Sequence, residues 1–173
     1  MRDGYTYQCG RYIHSACVVL DGEAIILPGE SGVGKTTLTL KLLGAGAKYC
    51  SDELAELDGG LVYPYPKPLY IRSPKLGYRR VFSPPLSWVA PLKWFRVSTV
   101  VFPRRGSKDR LRVLPKPEAL LLLGGSLLRE KVSREDLECL KQIVLQSKTC
   151  ELEWLDPALG AQKIIEASTK GGG

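Results

Sequence analysis

An eight-residue stretch, Gly29-Glu30-Ser31-Gly32-Val33-Gly34-Lys35-Thr36, fills every required position of the pattern G-x-x-x-x-G-K-[ST]. Glycines at these positions let the backbone curl so that successive N–H groups and a helix start face an anion. Lys35 can then reach the β- and γ-phosphates, and the Thr36 hydroxyl can join Mg²⁺ beside them. The pattern predicts a nucleotide-binding phosphate loop over Gly29 to Thr36, with Thr37 as a further contact in the first helical turn.

The flanking sequence agrees with this interpretation. Glu23 to Leu27 is a short apolar run that predicts a buried strand, and Lys35 to Leu43 places leucines among good helix formers. An Asp21-Gly22 pair predicts a tight hairpin turn from a preceding strand over Ile13 to Leu20. The phosphate loop is therefore expected between a strand and a helix, and His14 is expected on the neighbouring strand.

Two further strands are predicted to deliver polar residues to the same region. Lys48 to Cys50 is a short apolar strand followed by Ser51, Asp52 and Glu53. Val97 to Phe102 is a β-branched strand followed by Pro103, Arg104 and Arg105. Because an open α/β sheet binds its ligands at the carboxyl ends of its strands, these acids and arginines are candidates for the same site as the phosphate loop.

Ten of the twelve prolines fall between Pro64 and Pro117, which predicts loops and edge strands there. Within this region, Tyr70 to Phe95 fits a substrate loop or lid, and it fits a structural cover over the core equally well. The C-terminal third predicts a leucine-rich helix from Pro117, a helix capped by Ser133, an edge or half-buried strand over Cys150 to Trp154, and a final helix after Asp156-Pro157.

Composition narrows the class of protein. The chain has 173 residues, of which 44% are hydrophobic and 25% charged, so we expect a globular domain over residues 1–170 and a flexible tail at 171–173. No apolar stretch is long enough to span a bilayer, and the first residues lack the apolar core of a signal peptide. Five cysteines without a C-x-x-C pair disfavour a disulfide framework and a thiolate metal site. These features favour the cytoplasm.

The net charge of +7 is unevenly distributed. Between Lys67 and Lys116 there are five lysines and eight arginines against one acid, Asp109, which leaves the rest of the chain acidic. Such a segment is either a solvated basic face or a surface for an anionic partner, such as nucleotide phosphates, an acidic peptide or a nucleic acid.

The stretch "HSACVVLDGEAIILPGESGVGKTTLTLKLLGAGAKYCSDELAELD", from His14 to Asp58, resembles the catalytic core of the HPr kinase/phosphorylase family and its kinase relatives, some of which act in lasso-peptide maturation. The histidine strand, the phosphate loop and the acidic pair occur in the same order and spacing. A weaker likeness continues through "YPYPKPLYIR", "VVFPRR" and "CELEWLDPALGAQKIIEA".

The resemblance implies an α/β P-loop kinase fold akin to PEP carboxykinase, with a mixed β-sheet, flanking helices and a single domain. It implies ATP and Mg²⁺ as cofactors and a serine hydroxyl as acceptor. Asp52 matches the acid that deprotonates the acceptor, His14 the histidine that partners it, Lys35 the phosphate-loop lysine and Thr36 the Mg²⁺-binding hydroxyl. Glu53 stands where the family usually has a second aspartate, so it would lie near the metal with Asp52.

The chain departs from the family at one segment. The E-[IV]-R-G-x-G motif, associated with HPr recognition and phosphorolysis, is not evident, and Leu69 to Pro74 is the nearest stretch. We therefore expect a kinase for a serine or threonine hydroxyl on a peptide or protein, such as a natural-product (lasso) precursor. Arg72, Arg104 and Arg105 are candidates to contact substrate or phosphate.

Two other functional interpretations are compatible with the sequence. One is a nucleotide hydrolase or switch that uses Lys35, Thr36 and Asp52 without an acceptor. The other is a nucleic-acid binder that uses the arginine-rich segment, although a role without nucleic acid or membrane is favoured. The sequence leaves the acceptor, the preferred nucleotide and assembly into a homo-oligomer undetermined.

Overall fold

The computed structural model describes residues 11–72, 77, 79–129 and 131–169. The aromatic and β-branched residues of the segment 5–12 predict a weak opening strand, most of which lies outside these residues, as does the tail at 171–173. The strands are β1 Arg11–Leu20, β2 Glu23–Pro28, β3 Lys48–Ser51, β4 Leu54–Asp58, β5 Leu61–Tyr63, β6 Leu69–Arg72, β7 Arg79–Phe82, β8 Phe95–Arg105, β9 Arg110–Val113 and β10 Lys148–Trp154. The helices are α1 Lys35–Gly44, α2 Lys116–Gly124, α3 Arg134–Gln146 and α4 Pro157–Thr169, with a short 3-10 turn at Leu86–Trp88.

The main sheet is mixed and is built around the long strand β1. The first half of β1 pairs antiparallel with β4, and its second half lies antiparallel between β2 and β3. Strand β8 runs parallel to both β2 and β10, and β9 closes the edge antiparallel to β10. Since β2 and β3 are both antiparallel to β1, the strands β2, β3, β8 and β10 all end at the same edge of the sheet.

Alternation along the strands divides the core between two faces. On one face, Val18 and Leu27 pack with apolar residues of α1 and α4, such as Leu38 and Ile164. On the other face, Cys17, Ile26 and Val100 are among the residues packed with α2 and α3. Both faces of the sheet are thus covered by helices, which explains why the central strands are almost continuously apolar.

Several predicted elements are confirmed. Asp21 and Gly22 form the turn between β1 and β2 with φ of 51° and 82°, as expected for a two-residue hairpin. Ser133 begins α3 with a full capping box, in which its hydroxyl accepts from the Asp136 N–H and the Asp136 carboxylate accepts from the Ser133 N–H. The residues that set these two boundaries are close together in the sequence, so the boundaries do not depend on long-range packing.

Strands β8 and β10 differ from the prediction. Strand β8 continues through Pro103 to Arg105, because its pairing with β2 ends at Val100 and a residue without an N–H is tolerated where one edge is free. The prediction of an edge or half-buried strand over Cys150 to Trp154 is wrong, since β10 lies between β8 and β9 and is mostly buried. Its alternating Glu151 and Glu153 suggested exposure, but both carboxylates pair with Arg104.

The proline-rich region forms a small separate sheet. Strands β6 and β7 pair antiparallel, with Leu69 opposite Phe82 and Arg72 opposite Arg79. Leu69 is fully buried in the core beside α1, whereas Tyr70 and Arg72 are exposed. The hairpin is therefore anchored at its base. In the part of the chain that the structure describes, no helix has the length and apolar character needed to cross a membrane.

Candidate functional site

The phosphate loop occupies the turn between β2, which ends at Pro28, and α1, which begins at Lys35. Gly32 and Gly34 have φ of 97° and 94°, a backbone region that other residues rarely adopt. Gly34 is also the residue preceding α1, and a Cβ there would overlap the indole ring of Trp154. Gly34, a required glycine of the pattern, thus has two separate physical causes, its backbone conformation and the close approach of a large side chain, whereas Gly32 has the first cause alone.

Lys35 is folded back over its own loop. Its Nζ donates to the backbone oxygens of Gly29 at 2.6 Å and Glu30 at 2.8 Å, and the residue is 6% exposed. Burial lowers the pKa of Lys35, while Asp52, Glu53 and Glu30 act to raise it. Carbonyl oxygens are weaker partners for an ammonium group than phosphate oxygens, so the lysine can exchange these bonds for a phosphate.

Asp52 follows β3 and meets the first turn of α1. The Thr36 hydroxyl donates to Asp52 Oδ2 at 2.7 Å. Asp52 is 6% exposed, and its other oxygen, Oδ1, is buried without a hydrogen-bond partner. Burial is the main cause that raises the Asp52 pKa, and the hydrogen bond from Thr36 acts against it. A buried acceptor without a hydrogen-bond partner costs free energy of folding, so Oδ1 is suited to accept a proton or to bind a cation.

His14 lies on β1 directly beside the phosphate loop. Its carbonyl accepts from the Gly29 N–H at 3.2 Å, and the next N–H, from Ser15, donates to the Glu53 carbonyl at 3.3 Å. The imidazole is half-buried; burial and then the charge of Lys35 lower its pKa, whereas Glu53 and Glu30 raise it. Within the described residues no hydrogen bond joins His14 to Asp52, although both side chains line one cavity.

That cavity has a volume of about 330 Å³ and opens at the carboxyl edge of the sheet. Most of the predicted site residues share it. Its lining comprises His14, Ser31, Gly32, Gly34, Lys35, Thr36, Thr37, Leu40, Asp52, Glu53, Tyr70, Ile71, Arg72 and Arg105. The loop residues Gly29 and Glu30 instead border a neighbouring cavity of about 480 Å³, whose wall also includes His14. His14 therefore separates two cavities.

The two candidate arginines at the end of β8 have different surroundings. Arg104 is held by Glu153 at 2.8 Å and Glu151 at 3.4 Å, and it lines the neighbouring cavity. Arg105 lines the cavity with the phosphate loop and lies over the Trp154 ring at 4.7 Å, and among the described residues no carboxylate pairs with it. Successive side chains on a strand point to opposite faces, which is why neighbours in sequence are separated here.

Three residues of the cavity lining, Leu40, Tyr70 and Ile71, were not among the predicted site residues. Tyr70 and Ile71 reach the site from the β6–β7 hairpin, in the segment whose sequence fits a substrate loop or lid and a structural cover equally well. Trp154 lies beneath the phosphate loop, where its indole N–H donates to the Val33 carbonyl at 3.1 Å. An aromatic residue at the end of a strand predicted to be at an edge gave no functional signal, because the parallel pairing of β10 with β8 decides its position.

A strand, a glycine-rich loop and a helix at the carboxyl edge of a mixed sheet, with an acid beside the loop's threonine, define the P-loop class of α/β nucleotide-binding folds. No protein-family model matches the chain, and no curated protein matches it. Among solved structures, the chain is similar to the Hpr(Ser) kinase/phosphatase from Coxiella burnetii, with a TM-score of 0.52 and 15% sequence identity over 94% of this chain and 99% of that chain. At this identity the likeness establishes the fold, and it confirms the predicted fold class.

Proposed function

We propose that the protein is an ATP- and Mg²⁺-dependent kinase that transfers the γ-phosphoryl group to a serine or threonine hydroxyl of a peptide or protein. The observation that carries this proposal is the unpartnered Oδ1 of Asp52, buried beside Thr36 in the cavity that also contains Lys35. A phosphoryl-transfer site needs an oriented nucleophile and neutralised charge, and a carboxylate with spare acceptor capacity supplies the first.

The residues present fit the implied cofactors. Thr36, Asp52 and Glu53 offer a hydroxyl and two carboxylates, and no cluster of three His, Cys, Asp or Glu occurs in the described residues. Mg²⁺ is usually bound through one or two carboxylates and the substrate's phosphates rather than by a cage of protein ligands. When bound, Mg²⁺ supplies neutralisation of the phosphate charge. Gly29 to Thr37 would hold the phosphates of ATP through backbone N–H groups and Lys35.

The remaining side chains then have distinct tasks. Asp52 accepts the proton of the acceptor hydroxyl, and its raised pKa makes it a stronger base than an exposed aspartate. His14, between the two cavities, lies beside the phosphate loop and orients the reacting groups. Arg105 and Arg72 line the nucleotide cavity without a carboxylate partner in the described part of the chain, so their charge is available to phosphate or substrate.

The charge of the side chains that line the cavity supports an acidic acceptor. Two basic side chains of the segment between Lys67 and Lys116, Arg72 and Arg105, line the cavity, and they favour an acceptor with acidic residues near the hydroxyl. The segment at Leu69 to Pro74 lacks the glutamate motif associated with HPr recognition, which favours another acceptor, such as the precursor peptide of a lasso natural product. We propose that residues 1–170 act as one catalytic domain, in the cytoplasm, as a monomer or homo-oligomer.

The decisive experiment incubates the protein with Mg²⁺, γ-labelled ATP and a set of serine-containing peptides that differ in acidic residues. Transfer of label to an acidic peptide, and not to its serine-to-alanine counterpart, is the expected result. Label that appears only as free phosphate would make the protein a hydrolase or switch. Tight, salt-sensitive binding to nucleic acid without transfer would instead favour the nucleic-acid reading.

A further inference from the structure

Trp154 lies at the junction of the phosphate loop, α4 and the end of β8. It is the last residue of β10 and is 3% exposed, although it stands at a sheet edge that carries an open cavity. In the parallel pairing of β10 with β8 it is directly opposite Arg105. The Trp154 side chain contacts both the phosphate loop and Arg105, which belong to the proposed nucleotide site.

The first contact fixes the phosphate loop. The indole N–H donates to the Val33 carbonyl at 3.1 Å, which satisfies the indole's single donor. Its six-membered ring occupies the space where a side chain at Gly34 would be. The ring therefore supports the loop from below at two successive residues, one through a hydrogen bond and one through close packing.

The second contact fixes Arg105. The guanidinium carbon lies 4.7 Å from the centre of the Trp154 ring, within the range of a cation–π interaction. A contact between the guanidinium and the ring face uses none of the N–H donors of Arg105, so these donors can bind an anion. Arg104 differs from Arg105 in this respect, because its N–H donors pair with Glu151 and Glu153.

The support of Trp154 is itself rigid. The Gly106 N–H donates to the Trp154 carbonyl at 3.0 Å, and the Asp109 carboxylate accepts from the N–H groups of Leu155 and Asp156. Gly160 of α4 approaches so closely that a Cβ there would lie 3.3 Å from the Trp154 Cβ. These contacts fix the backbone and the Cβ atom from which the ring projects toward Gly34 and Arg105.

From these contacts we infer that Trp154 is a positioning residue for nucleotide binding, which sets both the phosphate loop and the guanidinium of Arg105 at their spacing in the cavity. The inference rests on the proposed function, because it assumes that the loop holds a nucleoside triphosphate. Trp154 acts through Gly34, Val33 and Arg105 and does not itself contact the ligand.

The test compares Trp154→Phe, Trp154→Leu and Arg105→Ala with the wild-type chain, with binding of ATP and ADP measured by calorimetry. Trp154→Phe keeps an aromatic ring but loses the indole N–H and the outer ring atoms that lie against Gly34, so ATP and ADP affinity should fall about fivefold. Trp154→Leu also loses the stacking surface and should reduce ATP affinity by about 30-fold or more. In the Leu variant, adding Arg105→Ala should change affinity much less than it does in the wild-type chain, since the arginine is no longer oriented.

Trp94→Phe is the matched control, because Trp94 packs against Tyr63 and is 40% exposed, and its ATP affinity should equal that of the wild-type chain. Circular dichroism and thermal unfolding verify that each variant is folded. Folded Trp154→Phe and Trp154→Leu variants with wild-type ATP affinity would overturn the inference, as would full additivity of the Leu and Ala changes. Failure of the wild-type chain to bind ATP would overturn the proposed function itself, and transfer to water alone would alter that function without affecting the binding result.

Discussion

The two ends of the main sheet each carry a polar cavity, but their polar groups are used differently. At the amino ends of β2, β8 and β10, a cavity of about 550 Å³ is lined by residues that include Arg96 and Lys148. Arg96 pairs with Glu23 at 2.8 Å, and Lys148 donates to the Ala167 carbonyl at 3.2 Å. At the carboxyl ends the cavity is smaller, yet Asp52 Oδ1 is unpartnered there.

The difference shows that volume is a poor guide to a binding site. In the larger cavity at the amino ends, Arg96 and Lys148 are bonded to groups of the protein, so a ligand that binds them would have to displace existing bonds. At the carboxyl end, Lys35 donates to loop carbonyls and Arg105 lies over a ring, so both have charge to offer to phosphate. Unused hydrogen-bonding capacity in a buried setting is the feature that identifies the proposed site.

The largest expected effect comes from Asp52→Asn. The amide keeps the size of the side chain but removes the base, so phosphoryl transfer should fall about 100- to 10,000-fold while ATP binding changes little. Single-turnover transfer with labelled ATP and calorimetric ATP binding measure the two quantities. Substantial transfer by the asparagine variant would assign the base to another residue and remove the main contrast between the two ends of the sheet.

Lys35→Ala should have the next largest effect. Loss of the ammonium removes a cation from the phosphates in both the ground state and the transition state, so ATP affinity and transfer should fall together, transfer by about 100- to 1,000-fold. Lys35→Arg tests geometry with the charge kept and should recover only part of the loss. Retained ATP affinity in the alanine variant would mean that the nucleotide binds away from this loop.

The pH dependence of kcat/KM should report Asp52. Burial raises its pKa above the ordinary aspartate value of 3.8, and the base works only as the carboxylate. As pH falls through that raised pKa, activity should decline by about tenfold per pH unit, with a midpoint above that of an exposed aspartate. The midpoint of this decline in kcat/KM should be unchanged in His14→Asn, although that variant should be less active than the wild-type chain. A midpoint that disappears with His14 would assign the titration to the imidazole.

The smallest effect is expected at the amino-end cavity. Lys148→Met removes the hydrogen bond to the Ala167 carbonyl, so the free energy of unfolding should fall by about 1 kcal/mol, as measured by denaturant titration. ATP affinity and transfer should equal those of the wild-type chain. If this variant weakens ATP binding, the two cavities are coupled or the ligand site has been assigned to the wrong end.

Much of the candidate site could be predicted because its signals are local. The phosphate-loop pattern at Gly29 to Thr36 depends on backbone conformation and on residue types within eight positions, and the capped and hairpin boundaries depend on even fewer. The acid after β3 could be anticipated since strand ends share one edge. The missing hydrogen-bond partner of Asp52 Oδ1 could not be predicted, because the partners of a buried atom depend on the tertiary packing around it.

The sequence by itself determined a glycine-rich loop between a strand and a helix, with acids at a nearby strand end, because those features follow from short-range backbone and charge requirements. Only the tertiary structure decided between Arg104 and Arg105, since the pairing of β8 with β10 supplies Glu151 and Glu153 to one arginine and Trp154 to the other. It also placed Trp154 under Gly34, which lies 120 residues earlier in the chain. Such contacts depend on long-range strand register, which no local pattern specifies.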